Sequence, residues 1–508
     1  MDRRVAQGRS EPIESRLLHS DAVTAALGSR RWAIALSIAI GLGLMLTALL
    51  VYTSTQSFRI YDHFEWQAQA FLEGQTAIRY PVGTFDPCSG NACFNDVRPV
   101  PSSDGVPRGD MPFPPLPAVL LMPFVAMWGR ATDGQLLFGI LAAVDVGICW
   151  WVLGRLPIRR AIRLAVTVFF AFGTVFWYSA QLATTWYQAH IVALALLLLS
   201  VGIALGADPD AAIDEDDLQR DPEAERADTT ATPRTARIAA AARSQVDGRQ
   251  VLAGFLFGLA CTSRLPIVFG APFYVLVGSG GSWKRRGLSA AIGAAVPIGA
   301  LLVYNLVSTG QLFHPGYQYL YELEAGFYTN LGYHLDWSIE DPRYIPQNLA
   351  IMLFNTPAIL PDIYPAGLGN GQALCTAPGA VRGLFDAACP IALPRDTGMS
   401  LLLTSPAYLF AIPALTRYGR SRLVTGSVLA ILVITFVNLM HFSQGWVQFG
   451  YRFSLDFAPW ALILVALGMN RIRMSYGPAI AGVLIGVGLV LSIAVNYWGV
   501  RWGNVLGW

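Results

Sequence analysis

An acidic cluster follows the first long apolar run of the chain, residues 32–52. It contains Asp62, His63 and Glu65, and in a helix Asp62 and Glu65 would lie one turn apart. A carboxylate at a membrane surface can act as a general base or hold a metal ion near a lipid phosphate. We therefore predict Asp62 as a general base, with His63 and Glu65 as further catalytic residues. The alternative is a solvated loop with ordinary charges.

Two arginines occur where a lipid phosphate could be bound. Arg264 lies between the apolar stretches 251–263 and 265–278, and Arg452 follows Tyr451 in a glycine-containing block. A guanidinium at membrane depth is costly unless it is paired, and its planar donors suit a phosphate. We predict Arg264, Arg452 and Tyr451 as contacts of a donor phosphate. A structural ion pair for Arg264 and a snorkelling side chain for Arg452 are the alternatives.

Four further side chains near the same predicted membrane face could contact a sugar or an acceptor. His190 lies near the start of an apolar run. Asn305 lies near the end of a later one, and His314 and Tyr317 follow it. A few well-placed polar groups beside aromatic rings are typical of small-ligand sites. We predict these four as acceptor or sugar contacts. The alternative for the aromatic residues is the interfacial belt that any membrane protein carries.

Positioning these residues requires a membrane scaffold. Of the 508 residues, 54% are hydrophobic and only 13% are charged, and a helix crosses the bilayer with about 20 apolar residues. We predict an all-α polytopic membrane protein with about eleven transmembrane helices. The expected spans are 33–53, 135–153, 163–180, 190–206, 251–263, 265–278, 288–307, 399–416, 422–441, 456–470 and 477–498. No basic stripe with interleaved aromatics occurs, so nucleic acid is not an expected partner.

Short loops rich in arginine and lysine predict the orientation, because such loops stay in the cytoplasm. They include residues 155–163, 284–286 and 471–473. We expect a multi-pass protein of the plasma (inner) membrane with a cytoplasmic N-terminus and the C-terminus outside. Counting residues 112–128 as a span would place loop 155–163 outside. We therefore predict an amphipathic or re-entrant outer surface helix there.

The loops divide the membrane domain. The expected divisions are a cytoplasmic N-terminal tail (1–32), a first membrane part (33–206) with the first outer loop (54–134), a disordered cytoplasmic linker (207–249), and a second membrane part (250–508) with an ordered outer loop subdomain (308–398). The linker prediction rests on its polar and acidic composition.

Four of the six cysteines lie in the two long outer loops. Outer loops face an oxidising compartment where disulfides persist. We predict two local disulfides, Cys88 with Cys93 and Cys375 with Cys389. A metal site is less expected, because neither pair has a matching histidine or cysteine nearby.

Four short motifs together resemble a known enzyme superfamily over most of the chain. They are the acid Asp62, the Phe-Pro-Pro segment 113–115, the segment 258–264 that ends in Arg264, and the segment 445–452 that ends in Tyr451 and Arg452. The chain is similar to the GT-C superfamily of polyprenyl-phosphate-sugar-dependent membrane glycosyltransferases, which includes protein O-mannosyltransferases and lipid A aminoarabinose transferases. The resemblance implies Asp62 as the catalytic residue and arginines near the lipid phosphate.

One segment departs from the pattern of that superfamily. Thr184 and Thr185 are followed by Trp186, where the family often has an acid after the threonine pair. The missing second acid favours a mechanism without a metal or another cofactor, and a divalent metal remains the alternative.

The predicted function is membrane glycosyl transfer on the extracytoplasmic face. The donor would be a polyprenyl-phosphate-linked sugar and the acceptor a hydroxyl of a glycan, lipid or protein, with membrane lipids around the enzyme. The main alternative is a transporter or flippase of a lipid-linked or polar solute. Asp145 within a predicted span and the broken stretch 251–278 favour that alternative. A non-catalytic scaffold for envelope assembly is the third.

Overall fold

The chain folds into a mostly helical protein in the computed structural model. It describes residues 13–58, 61–79, 96–102, 105–208, 246–327, 334, 336–364, 371–445 and 447–508. In chain order the α-helices are α1 (Ile13–Thr55), α2 (His63–Leu72), α3 (Leu116–Trp128), α4 (Gly134–Leu153), α5 (Arg160–Phe172), α6 (Phe176–Leu182), α7 (Thr185–Ala207), α8 (Gly248–Cys261), α9 (Pro272–Leu276), α10 (Trp283–Thr309), α11 (Gly316–Phe327), α12 (Ile345–Phe354), α13 (Leu401–Thr404), α14 (Ile412–Tyr418), α15 (Arg422–Met440) and α16 (Ala458–Leu506).

Short 3₁₀ helices and strands connect these α-helices. The 3₁₀ helices are Gly129–Ala131, Leu265–Gly270, Pro342–Tyr344, Pro406–Ala411 and Arg452–Phe457. The strands are β1 (Ile78–Arg79), β2 (Arg98–Val100), β3 (Arg108–Asp110), β4 (Ala358–Ile359) and β5 (Ala392–Leu393). Strands β1, β3 and β2 form one antiparallel sheet in that order, and β4 pairs with β5.

Six described helices are long and apolar enough to cross a membrane. They are Arg31–Thr55, Gly134–Leu153, Thr185–Ala207, Trp283–Thr309, Arg422–Met440 and Arg452–Leu506, and the bent pair Arg160–Phe172 with Phe176–Leu182 would make a seventh. The protein is therefore compatible with an all-α membrane protein, and the predicted count of eleven spans is not confirmed. Part of the difference arises where prolines interrupt apolar sequence.

Two predicted regions show this interruption. The stretch 399–416 forms only α13, a 3₁₀ helix that begins at Pro406, and α14 with Pro413 in its first turn. The stretch 265–278 forms a 3₁₀ helix with Pro266 and then the five-residue α9. Proline has no backbone N–H and clashes with the preceding turn, so a continuous helix does not form.

The predicted spans 456–470 and 477–498 lie in one helix, α16, that is broken at Gly477. This glycine has a φ of 77° and is non-helical. A straight helix of 49 residues would measure about 73 Å, more than twice the roughly 30 Å hydrocarbon core. The two arms instead fold back, since Gly468 and Gly488 on opposite sides of the break both contact Phe410.

The central helix α7 is buried along most of its length and packs against α4 and α8. Helix α8 packs closely on α10 through small residues. A Cβ at Gly254 would lie 2.1 Å from the carbonyl oxygen of Ala290, and one at Gly293 would lie 2.0 Å from that of Val251. Glycine at both positions lets the two backbones approach, which is a common device between membrane helices.

The segment predicted as an outer surface helix forms the 13-residue helix α3. At about 20 Å it is too short to cross the bilayer, and it packs against α2. The backbone N–H of Leu116 donates to the carbonyl oxygen of Thr262 at 3.4 Å. This bond joins the start of α3 to the break that precedes Arg264.

The predicted outer loop subdomain contains α11, α12 and the antiparallel pair of strands β4 and β5. Cys375 and Cys389 form a disulfide there, as predicted. Cys88 and Cys93 lie outside the described residues, as do most of the linker 207–249 and the first part of the tail.

Candidate functional site

A buried ion pair joins the two segments that contain the predicted phosphate-binding arginines, Arg264 and Arg452. Arg264 Nε lies 3.1 Å from Asp456 Oδ1, and its Nη2 lies 2.8 Å from Asp456 Oδ2. The Asp456 side chain is fully buried. This bidentate geometry is the strongest form of arginine–carboxylate contact, and it joins the break after α8 to the 3₁₀ helix before α16.

Two more polar side chains complete the contacts of Asp456. His190 Nδ1, on α7, lies 3.2 Å from Asp456 Oδ1. Asn438, near the end of α15, donates from Nδ2 to Asp456 Oδ2 at 3.2 Å. Both side chains are buried. Asp456 therefore ties together four separate parts of the chain.

Arg452 lies in the same cluster without a carboxylate partner among the described residues. Its side chain is largely buried, and its Nε has no hydrogen-bond partner in that part of the chain. The guanidinium carbon lies 5.5 Å from the ring centre of Tyr187 and 5.7 Å from that of Phe453. We call Arg264, Arg452, Asp456, His190 and Asn438 the arginine cluster.

The loop before Arg452 leaves space for its guanidinium. Gly445 has a φ of +96°, and a Cβ there would lie 2.8 Å from the guanidinium carbon of Arg452. Gln444 fixes this loop, because its Nε2 donates to the carbonyl oxygen of Asn438 at 2.8 Å and its Oε1 accepts from the Tyr451 hydroxyl at 2.6 Å. Tyr451 is thus a buried support of the loop.

Tyr317 connects the arginine cluster to the acidic cluster after α1. Its ring centre lies 6.2 Å from that of Phe113 and 6.2 Å from that of His441. Burial raises the pKa of Tyr317, Arg264 opposes that rise, and Asp96 adds to it. Arg264 of the arginine cluster and Asp96, the partner of His63, therefore both influence this one hydroxyl.

His63 is fully buried at the start of α2 and bonded on both ring nitrogens. Its Nε2 lies 2.9 Å from Asp96 Oδ1, and its Nδ1 lies 2.9 Å from Thr185 Oγ1. The ring also lies against Phe113, at 6.1 Å between centres, and Trp186, at 5.7 Å. The second carboxylate oxygen of Asp96 is buried and has no hydrogen-bond partner in the described chain.

Asp62, the predicted base, is more exposed than these groups. Its carboxylate pairs with Arg130, and the two side chains are 36% and 33% exposed. The guanidinium of Arg130 also stacks on Trp66 at 3.5 Å. The structure therefore places Asp62 next to an arginine, although this arginine is neither Arg264 nor Arg452.

Glu65 lies one turn further along α2 and is buried. Burial raises its pKa to about 8, and the charge of Asp62 adds to the rise. Its Oε2 has no hydrogen-bond partner within the described residues. Asp62 and Glu65, which the sequence spacing predicted on one helix face, thus differ in environment: Asp62 is partly exposed and Glu65 is buried.

The remaining predicted sugar contacts are Asn305, near the end of α10, and His314, just before α11. His314 accepts the Gly316 N–H on Nδ1 at 3.1 Å, and burial, with Arg98 nearby, lowers its pKa to about 4. Asn305 donates to the carbonyl oxygen of Leu312 at 2.9 Å, so its amide already holds the turn after α10.

Sequence reasoning missed Asp456, Asn438 and Asp96. Asp456 was counted as the first residue of the predicted span 456–470. Its role could have been suspected because an acid lies only four residues after Arg452 in otherwise apolar sequence. No group of three or more histidine, cysteine or acidic side chains in the described ranges is arranged to hold a metal ion. Metal-independent chemistry remains a prediction.

Comparison with family models, with curated proteins and with solved structures gave no match to this chain. The resemblance to GT-C enzymes thus rests on the short motifs alone.

Proposed function

We propose that this protein transfers a sugar from a polyprenyl phosphate to an acceptor hydroxyl, with Arg452 binding the donor phosphate. The supporting observation is the buried Arg452 guanidinium, which faces no carboxylate in the described chain. A buried charge is normally paired, so an unmatched cation favours an anionic ligand.

The charges of the arginine cluster fit such a ligand. Arg264 and Asp456 neutralise each other, which leaves the single positive charge of Arg452. A sugar joined to a lipid through a phosphodiester carries one negative charge. Arginine offers planar donors that match phosphate oxygens, and a site of low dielectric strengthens the attraction.

The proposed reaction is a displacement at the anomeric carbon with inversion. The acceptor oxygen forms a bond to this carbon while its proton passes to a carboxylate of the protein. The bond from carbon to phosphate oxygen breaks, and the lipid phosphate leaves with the electron pair. Arg452 would stabilise the negative charge that develops on the leaving phosphate.

Asp62 is the proposed base, and Asp96 is the second carboxylate to test. Asp62 is partly exposed and paired with Arg130, whereas Asp96 is buried against His63. Asp62→Asn should abolish transfer in purified, folded protein. Unchanged turnover in Asp62→Asn, with loss in Asp96→Asn, would move the base assignment to Asp96.

Binding of a radiolabelled long-chain polyprenyl phosphate to protein in phospholipid vesicles tests the donor site. Arg452→Gln should weaken binding by about 10- to 100-fold, since charge-assisted hydrogen bonds contribute about 1.5–3 kcal/mol. Arg343→Gln is the control, because Arg343 is half exposed and pairs with Asp341, and neither residue belongs to the arginine cluster. Equal binding by wild type and Arg452→Gln would contradict the proposal.

A transporter or flippase is the second candidate, and Asp145 favours it. This acid is fully buried within α4, and neither carboxylate oxygen has a hydrogen-bond partner in the described residues. Acids inside membrane spans often take part in transport. Product analysis with a sugar-labelled lipid separates the two, since a carrier moves the substrate without cleaving it.

The proposed setting is the plasma (inner) membrane, with the arginine cluster on the extracytoplasmic side. The fold-back of α16 at Gly477 brings Gly499 against Phe449, near Arg452. This arrangement supports a C-terminal end on the same side as the cluster.

A further inference from the structure

A second set of polar side chains faces one another between α2 and the β1–β3–β2 sheet. His63 and Gln67 are four residues apart on α2, so they share one helix face. Asp96 precedes strand β2 and Arg98 begins it, and residues two apart in extended chain share one face. His63 pairs with Asp96 at 2.9 Å, which brings the two faces together.

The sheet and the end of α10 join this set. Arg98 Nη2 lies 2.7 Å from Asp110 Oδ2, and the registered pair of these residues links β2 to β3. Gln67 Nε2 donates to the Tyr304 hydroxyl at 3.1 Å. His314 lies next to this set, because helix α11, which follows it, contacts strand β2. A Cβ at Gly316 would lie 2.9 Å from His314 Nδ1 and from Pro112 Cα, two residues after Asp110.

Four buried atoms of this set have no hydrogen-bond partner in the described part of the chain. They are Gln67 Oε1, Asp96 Oδ2, Arg98 Nε and His314 Nε2. Native proteins leave few such atoms, and each one costs about 1–3 kcal/mol. Four of them on adjoining elements indicate a polar ligand.

The chemistry of the four atoms distinguishes this set from the arginine cluster. Gln67 Oε1 and Asp96 Oδ2 are acceptors, and Arg98 Nε is a donor. Because His314 Nδ1 accepts the Gly316 N–H, its Nε2 carries the proton and is a donor as well. Phosphate oxygens only accept, whereas sugar hydroxyls both donate and accept. Two donors and two acceptors therefore fit a polyhydroxylated ring.

We infer that Gln67, Asp96, Arg98 and His314 form the binding site for the donor sugar ring, here named the hydroxyl site. Tyr317 links this site to the arginine cluster through ring contacts. Its ring lies 6.2 Å from Phe113, which packs against His63. It also lies 6.2 Å from His441, which packs against Phe453 beside Arg452. The sugar of a glycosyl phosphate is joined directly to the phosphate, so neighbouring sites for the two groups are required. This inference rests on the proposed function and names its specificity residues.

Lipid binding in vesicles tests the inference with four probes. They are polyprenyl methyl phosphate, a phosphodiester without a sugar that serves as the bare lipid, and polyprenyl phosphate carrying mannose, arabinose or N-acetylglucosamine. At least one glycosylated lipid should bind wild type about tenfold or more tighter than the bare lipid. Gln67→Met, which keeps length and loses the polar atoms, should remove about tenfold of that gain and leave bare-lipid binding unchanged.

The matched control is Gln69→Met on the same helix. Gln69 is partly exposed and donates to Glu73 at 2.9 Å, so both lipids should bind this variant as they bind wild type. His314→Phe supplies a second test if Gln67→Met does not fold, with the same selective loss expected. Thermal unfolding of each variant checks the fold.

The outcomes separate the inference from the function on which it rests. If the bare lipid binds in an Arg452-dependent manner but no sugar increases affinity, the hydroxyl site is wrong and the donor phosphate site stands. The same conclusion follows if Gln67→Met and Gln69→Met bind all probes alike. If no lipid phosphate binds wild type, the proposed function fails, and the hydroxyl site fails with it.

Discussion

Two arginine–aspartate pairs in this protein have the same chemistry in opposite environments. In the first, Arg264 and Asp456 make two contacts at 3.1 and 2.8 Å, and their side chains are 16% and 0% exposed. In the second, Arg130 and Asp62 pair while both remain about one-third exposed. Burial therefore decides what each pair contributes.

An exposed pair gains little, because water screens the charges and the side chains lose freedom; such pairs contribute about 0–1 kcal/mol. A buried pair carries a large desolvation cost, so removing one partner is far more damaging than the attraction alone suggests. Asp62 is thus available for chemistry, whereas Asp456 is required to keep Arg264 in place beside Arg452.

The largest effect is expected from breaking the buried pair. Asp456→Asn keeps the shape of the side chain and leaves the Arg264 charge uncompensated. The free energy of unfolding should fall by about 3–5 kcal/mol, measured by denaturant titration in mixed micelles. A loss below about 1 kcal/mol would contradict the view that this pair is electrostatically isolated from water.

Glu65 is a buried acid without a strong cationic partner, so its stability effect should depend on pH. The native pKa is about 8 and the ordinary value is 4.5. Between these values the unfolded chain binds fewer protons than the native protein. The free energy of unfolding should therefore fall as pH rises from about 4.5 to about 8, by about 2–4 kcal/mol, and level off above that.

Glu65→Gln supplies the control for that pH dependence. Glutamine stays neutral, so the variant should lose this part of the slope and be more stable than wild type at pH 8. Parallel pH profiles of the two proteins would show that Glu65 does not titrate in this window.

Arg452 should behave unlike Asp456, although both are buried in one cluster. Arg452→Gln removes an unpaired charge, whereas Asp456→Asn leaves one unpaired. The free energy of unfolding of Arg452→Gln should therefore change by less than about 1 kcal/mol. The same titration measures it. A loss as large as that of Asp456→Asn would mean that Arg452 is a structural residue.

The smallest effect on stability is expected from the exposed pair. Asp62→Asn and Arg130→Gln should each cost at most about 1 kcal/mol, and a double-mutant cycle should give a coupling of about 0.2–1 kcal/mol. A coupling above about 2 kcal/mol would place this pair in the same class as Arg264 with Asp456.

The sequence identified the residues that stand out against an apolar background. Arg264, Arg452, His190 and Tyr451 were singled out for that reason, and the fold brings them together. The ion pair of Arg264 was also foreseen as an alternative. The Cys375–Cys389 disulfide was predicted correctly, because both cysteines lie in one loop.

Partners contributed by distant segments could not be read in the same way. Asp96 lies 33 residues after His63, so its burial against that side chain could not be predicted from sequence spacing. The predicted count of eleven spans is not confirmed, because hydropathy does not register how prolines and glycines divide an apolar stretch. A periodicity test would have put His63 with Gln67 and Asp96 with Arg98, but it could not have shown that these two faces meet.

The break at Gly477 also constrains the order in which the protein can mature. The last arm of α16 returns to the segment that carries Arg452, where Gly499 and Gly503 receive the rings of Phe449 and Tyr178. During synthesis on the ribosome, the packing behind Arg452 therefore stays incomplete until residues 499–503 have been inserted. A nascent chain that stops after Gly477 would contain Arg264 and Arg452. It would lack the last arm of α16, which packs against the segment that carries Arg452.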